Sequence, residues 1–194
     1  EVYMVDWDSK QYLKFKTERT QPAIDLVNRI SMLSPKKILD VGCGPGNSTE
    51  VLYRKFPDAY ILGVDKSEEM IKTAKMNYPN LDFKICDVSK DLWELENDFD
   101  IVFSNACIQW VPDHKNLLEN LLNLLNTNGV LAVQIPMNFD EPIQKTIDEL
   151  VTSEKWKNHF SEPRIFIRLA KMNITIFYLK YRRSSLFGKQ FIIM

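Results

Sequence analysis

From Lys37 to Ile135, short apolar runs alternate with amphipathic stretches, and few folds accept that rhythm. Residues 37–41, 60–64, 81–86, 99–104 and 130–135 are too short for core helices and rich in Val, Ile, Leu and Phe, so they read as buried strands. Between them, 47–56, 67–78 and 113–126 read as helices, with a short one expected at 91–96. In the third, Leu117, Leu118, Leu121, Leu122 and Leu125 share one face. Strands joined by helical crossovers make a parallel sheet covered on both faces. Upstream, Tyr12, Leu13, Phe15, Ile24, Leu26, Val27 and Ile30 repeat at helical spacing. Pro22 has no N–H and crowds the preceding turn, which predicts two helices, 9–18 and 22–31. Downstream, 140–156 reads as helix, and 174–181 and 190–194 as strands. Only 182–189 separates those two, a hairpin spacing. The expected architecture is therefore α/β: N-terminal helices and a doubly wound, mostly parallel seven-stranded sheet whose last strand is antiparallel. With no repeat and no linker, 1–194 is expected to be a single domain, made of N-terminal helices (1–34), a core (35–136) and a C-terminal helix with terminal strands (137–194).

Composition removes several function classes. The chain has 194 residues, 45% hydrophobic and 26% charged, ordinary values for one folded domain. A net charge of −1 lacks the basic surface that nucleic-acid binding requires. No apolar run approaches the roughly 20 residues that span a bilayer. The first residues show neither the basic nor the apolar region of a secretory signal, so a cytoplasmic protein is expected. Three cysteines without a CxxC pair, and two histidines, predict neither a disulfide framework nor a metal site. Cys43 reads as a packed residue and His114 as a surface one. The charge is uneven: residues 1–162 carry −8, and the remainder carries +7 from Arg164, Arg168, Lys171, Lys180, Arg182, Arg183 and Lys189. That tail is either a solvated basic edge or a source of cations for a small anion.

The first strand runs into Asp40-Val41-Gly42-Cys43-Gly44-Pro45-Gly46-Asn47, at the carboxyl end where a doubly wound sheet binds its ligand. Glycines let backbone approach a ligand, and free helix amides beyond the turn face it. The spacing is G-x-G-x-G; Asn47 stands where the dinucleotide fingerprint has its third glycine, and no G-K-[ST] follows. Asp40 would repel a pyrophosphate but can accept from an ammonium. Asp65, with Lys66 beside it, ends the second strand where a ribose diol would lie. Asp87 and Val88 end the third, where a carboxylate can accept from an adenine amino group. Such a site fits a phosphate-free nucleoside with a cationic amino-acid tail, a description that S-adenosylmethionine matches.

On residues 39–49 the chain resembles the class I S-adenosylmethionine-dependent methyltransferases, with their Rossmann-like fold. Trp7-Asp8 with Tyr12–Phe15 and Glu18-Arg19-Thr20, then 105–114, then 129–137, make it more similar to the trans-aconitate 2-methyltransferases. The resemblance covers about residues 7–145. It implies that Gly42, Gly44 and Gly46 form the cofactor turn, with Asp40 facing the methionine ammonium. Asp65 would take the ribose, Asp87 and Val88 the adenine, and Asn105 and Ala106 would flank the methionine part. It also implies N-terminal helices that close over the cofactor, bringing Trp7, Tyr12 and Arg19 toward the methyl group, with Gln109 and Trp110 opposite. The chain departs from the family pattern at Gln21, where a second arginine is usual, and at 182–189, where the family places a longer helical segment.

The reaction so implied is esterification of a small polycarboxylate, with S-adenosylhomocysteine as product. A carboxylate of pKa near 4 is already ionised at pH 7 and needs no base. It does need cations, and Arg19 supplies a bidentate fork, either for the substrate or for the cofactor's own carboxylate. Other readings of the same residues are a carboxyl methyltransferase acting on a carrier-protein-bound acyl group, a non-catalytic S-adenosylmethionine-binding protein, and a nicotinamide-binding domain.

Overall fold

The computed structural model describes residues 16–111, 113–136, 141–157 and 190–193. Within them six strands form one sheet: β1 (Lys37–Val41), β2 (Tyr60–Asp65), β3 (Asp82–Ile85), β4 (Phe99–Asn105), β5 (Leu125–Gln134) and β6 (Gln190–Ile193). Their order is β3-β2-β1-β4-β5-β6, and every neighbouring pair is parallel. Five helices accompany them: α1 (Lys16–Asn28), α2 (Asn47–Lys55), α3 (Glu68–Asn77), α4 (His114–Asn123) and α5 (Pro142–Thr152). The expected doubly wound, Rossmann-like parallel sheet is present. Its order reverses between β1 and β4, which opens a crevice at their carboxyl ends.

Strand alternation sorts the core into two layers. Ile38, Ile61, Ile101, Phe103, Val130 and Ala132 pack with Ala23, Leu26 and Val27 of α1 and Leu52 of α2. Leu39, Val41, Val64, Val102, Leu131 and Val133 point the other way, onto Leu117, Leu118, Leu121 and Leu122 of α4. The direction of α1 follows from Lys55 in the last turn of α2, whose Nζ donates to the carbonyls of Val27 (2.6 Å) and Ile30 (3.3 Å). Helix α2 begins at the carboxyl ends of the strands and finishes at their amino ends. The C-terminal end of α1 therefore lies at the amino ends, and its first turn, with Arg19, at the crevice end.

Three expectations are corrected. Pro22 does not divide two helices but lies inside α1; it removes one backbone hydrogen bond, which the burial of Ala23, Leu26, Val27 and Ile30 outweighs. The last strand is parallel, not antiparallel: Ala132 pairs with Ile192, which packs in the α1-side core. The chain reaches β6 from β5 by a long crossover that includes α5, so it enters the sheet at the amino end. The helix expected over 113–126 ends at Asn123, and Leu125 and Asn126 belong to β5, whose register jumps from Phe99↔Leu125 to Ile101↔Val130. The expected strand 174–181, the basic tail as far as Lys189, and the first part of helix 9–18 lie outside the described residues. Among the described residues no helix is long and apolar enough to cross a membrane.

Candidate functional site

The turn after β1 has positive φ at Gly42, Gly44 and Gly46. Two of these glycines serve different ends. A Cβ at Gly42 would overlap Cβ and Sγ of Cys107, just beyond β4, so bare backbone lets the two loops of the switch point touch. A Cβ at Gly44 would meet nothing within 4 Å; it borders open space. The amides of Gly42 and Cys43 donate to the Val64 carbonyl at 2.8 and 3.0 Å, and the Gly44 amide donates to Asp65 Oδ2 at 3.0 Å. The turn is thus tied to the end of β2.

That open space is a cleft of about 270 Å³ above the carboxyl ends of β1, β2 and β4. Of the expected site residues, Gly42, Gly44, Asp65, Lys66, Asp87, Val88, Ala106 and Trp110 line it. Asp65 Oδ1 accepts from the Ser67 amide at 2.9 Å. Burial pushes its carboxyl above the ordinary value, against the pull of the Ser67 and Gly44 amides. Burial acts upward most strongly on Asp87, but the hydroxyl (2.6 Å) and amide (3.0 Å) of Ser89, together with the charges of Lys90 and Lys66, outweigh it and hold that carboxyl low. Ala106 has φ +52°, a conformation that L-residues adopt at a cost, and its amide donates to the Gln134 carbonyl at 2.9 Å.

Other expected residues stand behind the walls. Gly46 packs on Tyr78 and Phe83, where a Cβ would come within 2.7 and 3.1 Å. Asn47 is buried and accepts from the Tyr78 hydroxyl at 3.3 Å. Asp40 is fully buried on the α1 side of the sheet: its Oδ2 accepts from the hydroxyls of Ser48 and Thr49, both at 2.7 Å, and its Oδ1 has no partner among the described residues. It staples β1 to the start of α2. Asn105 ends β4 with its carboxamide oxygen shielded and without a partner among the described residues. Arg19 falls in the first turn of α1, and Trp7 and Tyr12 lie outside the described residues. His114, expected at the surface, is half-buried with Nε2 2.8 Å from the Ile108 carbonyl.

Met70, Cys86, Ser89, Cys107 and Val111 complete the walls and were not expected from the sequence. Position is the signal that could have found them, since each sits within a few residues of a strand's carboxyl end or at the start of the next helix. Burial pushes the Cys107 thiol up to about 12 and Cys86 to about 11, so both are neutral and neither is a nucleophile.

Burial also raises the Asp40 carboxyl to about 6, although both hydroxyls lower it. Between the unfolded value near 3.8 and about 6 the folded protein holds a proton that the unfolded chain has released. Asp40's contribution to stability is therefore complete at low pH and is lost as pH rises through about 6. The unfolding free energy of the wild type, less that of Asp40→Asn, should fall by about 2 kcal/mol between roughly pH 4.5 and 7 in denaturant titrations. A flat difference would show that Asp40 is ionised throughout.

Fold and cleft together define a class, the Rossmann-like domains with a ligand crevice at the switch point of a parallel sheet. The methyltransferase-domain family matches residues 33–180, and the chain belongs to it. Among its relatives is a trans-aconitate 2-methyltransferase of Rhodopseudomonas palustris, 43% identical over 159 residues, a match covering 82% of this chain and 61% of that protein. One of the same name from Yersinia pseudotuberculosis is 41% identical over the same shares. The chain thus spans about three-fifths of the length of these curated relatives. In fold it is similar to a solved TehB-like SAM-dependent methyltransferase of Corynebacterium glutamicum, with a TM-score of 0.54 and 23% identity over 64% of this chain and 71% of that one.

Proposed function

We propose that the protein is an S-adenosylmethionine-dependent O-methyltransferase that esterifies one carboxylate of a small, trans-aconitate-like polycarboxylic acid. The observation that carries this is Asp65, a carboxylate on the cleft wall that also holds the Gly44 amide. With Asp87 it gives the cleft two acids against one cation, Lys66, among the described lining residues. A pyrophosphate would be repelled by these acids, whereas a phosphate-free nucleoside with a positive tail is complemented by them.

In this reading Asp65 accepts from the ribose hydroxyls, and Asp87 with the Val88 backbone holds the adenine, for which Met70 and Val111 offer apolar walls. Gly42 and Gly44 let the methionine part approach, flanked by the β4 backbone at Asn105 and Ala106. Asp40, Gly46 and Asn47 keep the turn in shape. Bound there, S-adenosylmethionine supplies a sulfonium methyl to a carboxylate oxygen: the O–CH3 bond forms as the S–CH3 bond breaks, and its electron pair stays on sulfur as S-adenosylhomocysteine. Trp110 at the cleft mouth, with Trp7 and Tyr12, excludes water. Arg19, on the turn of α1 nearest the crevice, forks a substrate carboxylate. No base is required, because the acid is ionised at neutral pH. The names of the relatives support this substrate class, and the net charge of −1 supports a small-molecule partner over a nucleic acid.

Labelled S-adenosylmethionine offered with a panel of di- and tricarboxylic acids should yield labelled ester, and calorimetry should show it binding more tightly than NAD. Label passing only to a carrier-protein thioester, or tighter NAD binding, would sink the proposal. Arg19→Ala should raise KM for the acid by roughly tenfold or more, the loss of a charge-assisted bidentate pair. Unchanged KM and unchanged cofactor affinity would remove Arg19 from the site.

A further inference from the structure

Strand β3 is an outer strand of the sheet that the described residues form, with β2 on its inner side. Its outer side can be worked out residue by residue. The Cys86 amide, just past β3, donates to the Asp65 carbonyl of β2 at 3.0 Å. Backbone groups alternate sides along a strand, so Asp82 and Lys84 also turn theirs to β2, whereas Leu81, Phe83 and Ile85 turn theirs outward. Side chains alternate between the two faces. Phe83 packs with Ile71 and Ala74 of α3, and Leu81 packs against the same cluster. Asp82 and Lys84 take the other face, where Lys84 Nζ pairs with Glu94 at 3.2 Å. That pair holds the turn Leu92–Glu94 beside the edge, and with it Trp93, which is 79% exposed. Ile85 is 49% exposed.

We propose that this edge pairs antiparallel with the same edge of a second copy of the chain, joining two sheets across a two-fold axis at Phe83. The segment Leu81-Asp82-Phe83-Lys84-Ile85 is complementary to its own reverse. With the two Phe83 residues opposed, Asp82 of each copy faces Lys84 of the other, and Leu81 faces Ile85. Phe83 and the Leu81–Ile85 pairs then occupy hydrogen-bonded positions, as their outward backbone groups require. Asp82 and Lys84 fall at the non-hydrogen-bonded positions, where opposed side chains stand closest. Charges of one sign along an edge would repel a second copy, but here opposite signs alternate on one face and attract it. The Lys84–Glu94 pair is partly exposed and contributes little, so Lys84 can turn to the new partner. A shift of one residue would set Lys84 against Phe83 and oppose outward backbone groups to inward ones, so the register is specified. Because the copies run antiparallel, their two clefts open at opposite ends of the joined sheet.

The test is sedimentation velocity of the full chain between about 1 and 100 μM, the range in which an interface at the small end of the size scale associates. Wild type should pass from monomer to dimer across it. Lys84→Asp sets acid against acid at both pairs, and Asp82→Lys sets base against base. Each variant alone should therefore associate at least about tenfold more weakly. An equimolar mixture of the two restores both opposite-charge pairs and should form dimers holding one copy of each, a rescue that unfolded chains would not give. The double variant Asp82→Lys with Lys84→Asp exchanges the signs and should dimerise like wild type, which keeps the test readable if one single variant does not fold. A wild type that stays monomeric throughout would overturn the inference. Dimers that both single variants keep at full strength would overturn it too, as would folded single variants that neither the mixture nor the double variant rescues.

Discussion

Gly42→Ala is expected to destabilise the protein by about 4 kcal/mol. Left-handed backbone costs an alanine roughly 1–2 kcal/mol, and forcing a methyl group into a filled contact adds typically 1–3. The contact is specific: at φ +72° the new Cβ would overlap Cβ and Sγ of Cys107, while Cys107 Cα would stay 3.7 Å away. Cys107→Gly removes the atoms in the way. The double variant Gly42→Ala with Cys107→Gly should therefore regain about 2 kcal/mol relative to the sum of the single changes, as coupled neighbours do. Gly44→Ala is the natural control. Its Cβ meets nothing within 4 Å, so it should lose only the backbone cost of roughly 1–2 kcal/mol while its methyl group intrudes on the cleft. Denaturant titration of the four variants separates these cases, and strictly additive effects of Gly42→Ala and Cys107→Gly would show that the two loops do not bear on one another.

Those glycines also show which parts of the protein could be read in the sequence. Strands β1 to β4 were legible because a buried parallel strand is a nearly unbroken apolar run, and Lys37–Val41 and Phe99–Asn105 have few other uses. The turn was legible as three glycines in five residues, but the separate duties of Gly42 and Gly44 were not. Cys107 is 65 residues from Gly42 in the chain, and their contact exists only through the pairing of β1 with β4. Asp65 and Asp87 were found because strand ends locate them. Asp40 was located equally well, yet the structure turns its Oδ2 to Ser48 and Thr49, hydroxyls that read in sequence only as the start of a helix. Pro22 and the last strand were misjudged for a common reason, since in both a local rule met tertiary packing that outweighed it. A proline costs α1 one hydrogen bond, which four buried apolar side chains offset. A short connection suggests a hairpin, but the partner that β6 finds is β5, by way of a long crossover.

Asp65→Ala should weaken S-adenosylmethionine binding about 100-fold, the loss expected when a charge-assisted pair of hydrogen bonds to a ligand is removed. Asp65 serves the cleft twice. Its Oδ2 holds the Gly44 amide and its Oδ1 the Ser67 amide, yet a carboxylate has lone pairs enough to accept from a ligand as well. The alanine variant therefore loses the ligand contact and the anchor of the turn together, whereas Asp65→Asn keeps one acceptor and should lose roughly tenfold. Burial raises the Asp65 carboxyl in the ligand-free protein, so the folded state there favours the proton that a cationic ligand disfavours. Affinity should accordingly rise with pH through the raised Asp65 value and level off above it, and the rise should be absent in Asp65→Asn. Calorimetric titrations across that range measure both effects. If Asp65→Ala binds S-adenosylmethionine as tightly as the wild type, the acidic wall is not what receives the nucleoside, and the cleft must be assigned to a ligand of different charge.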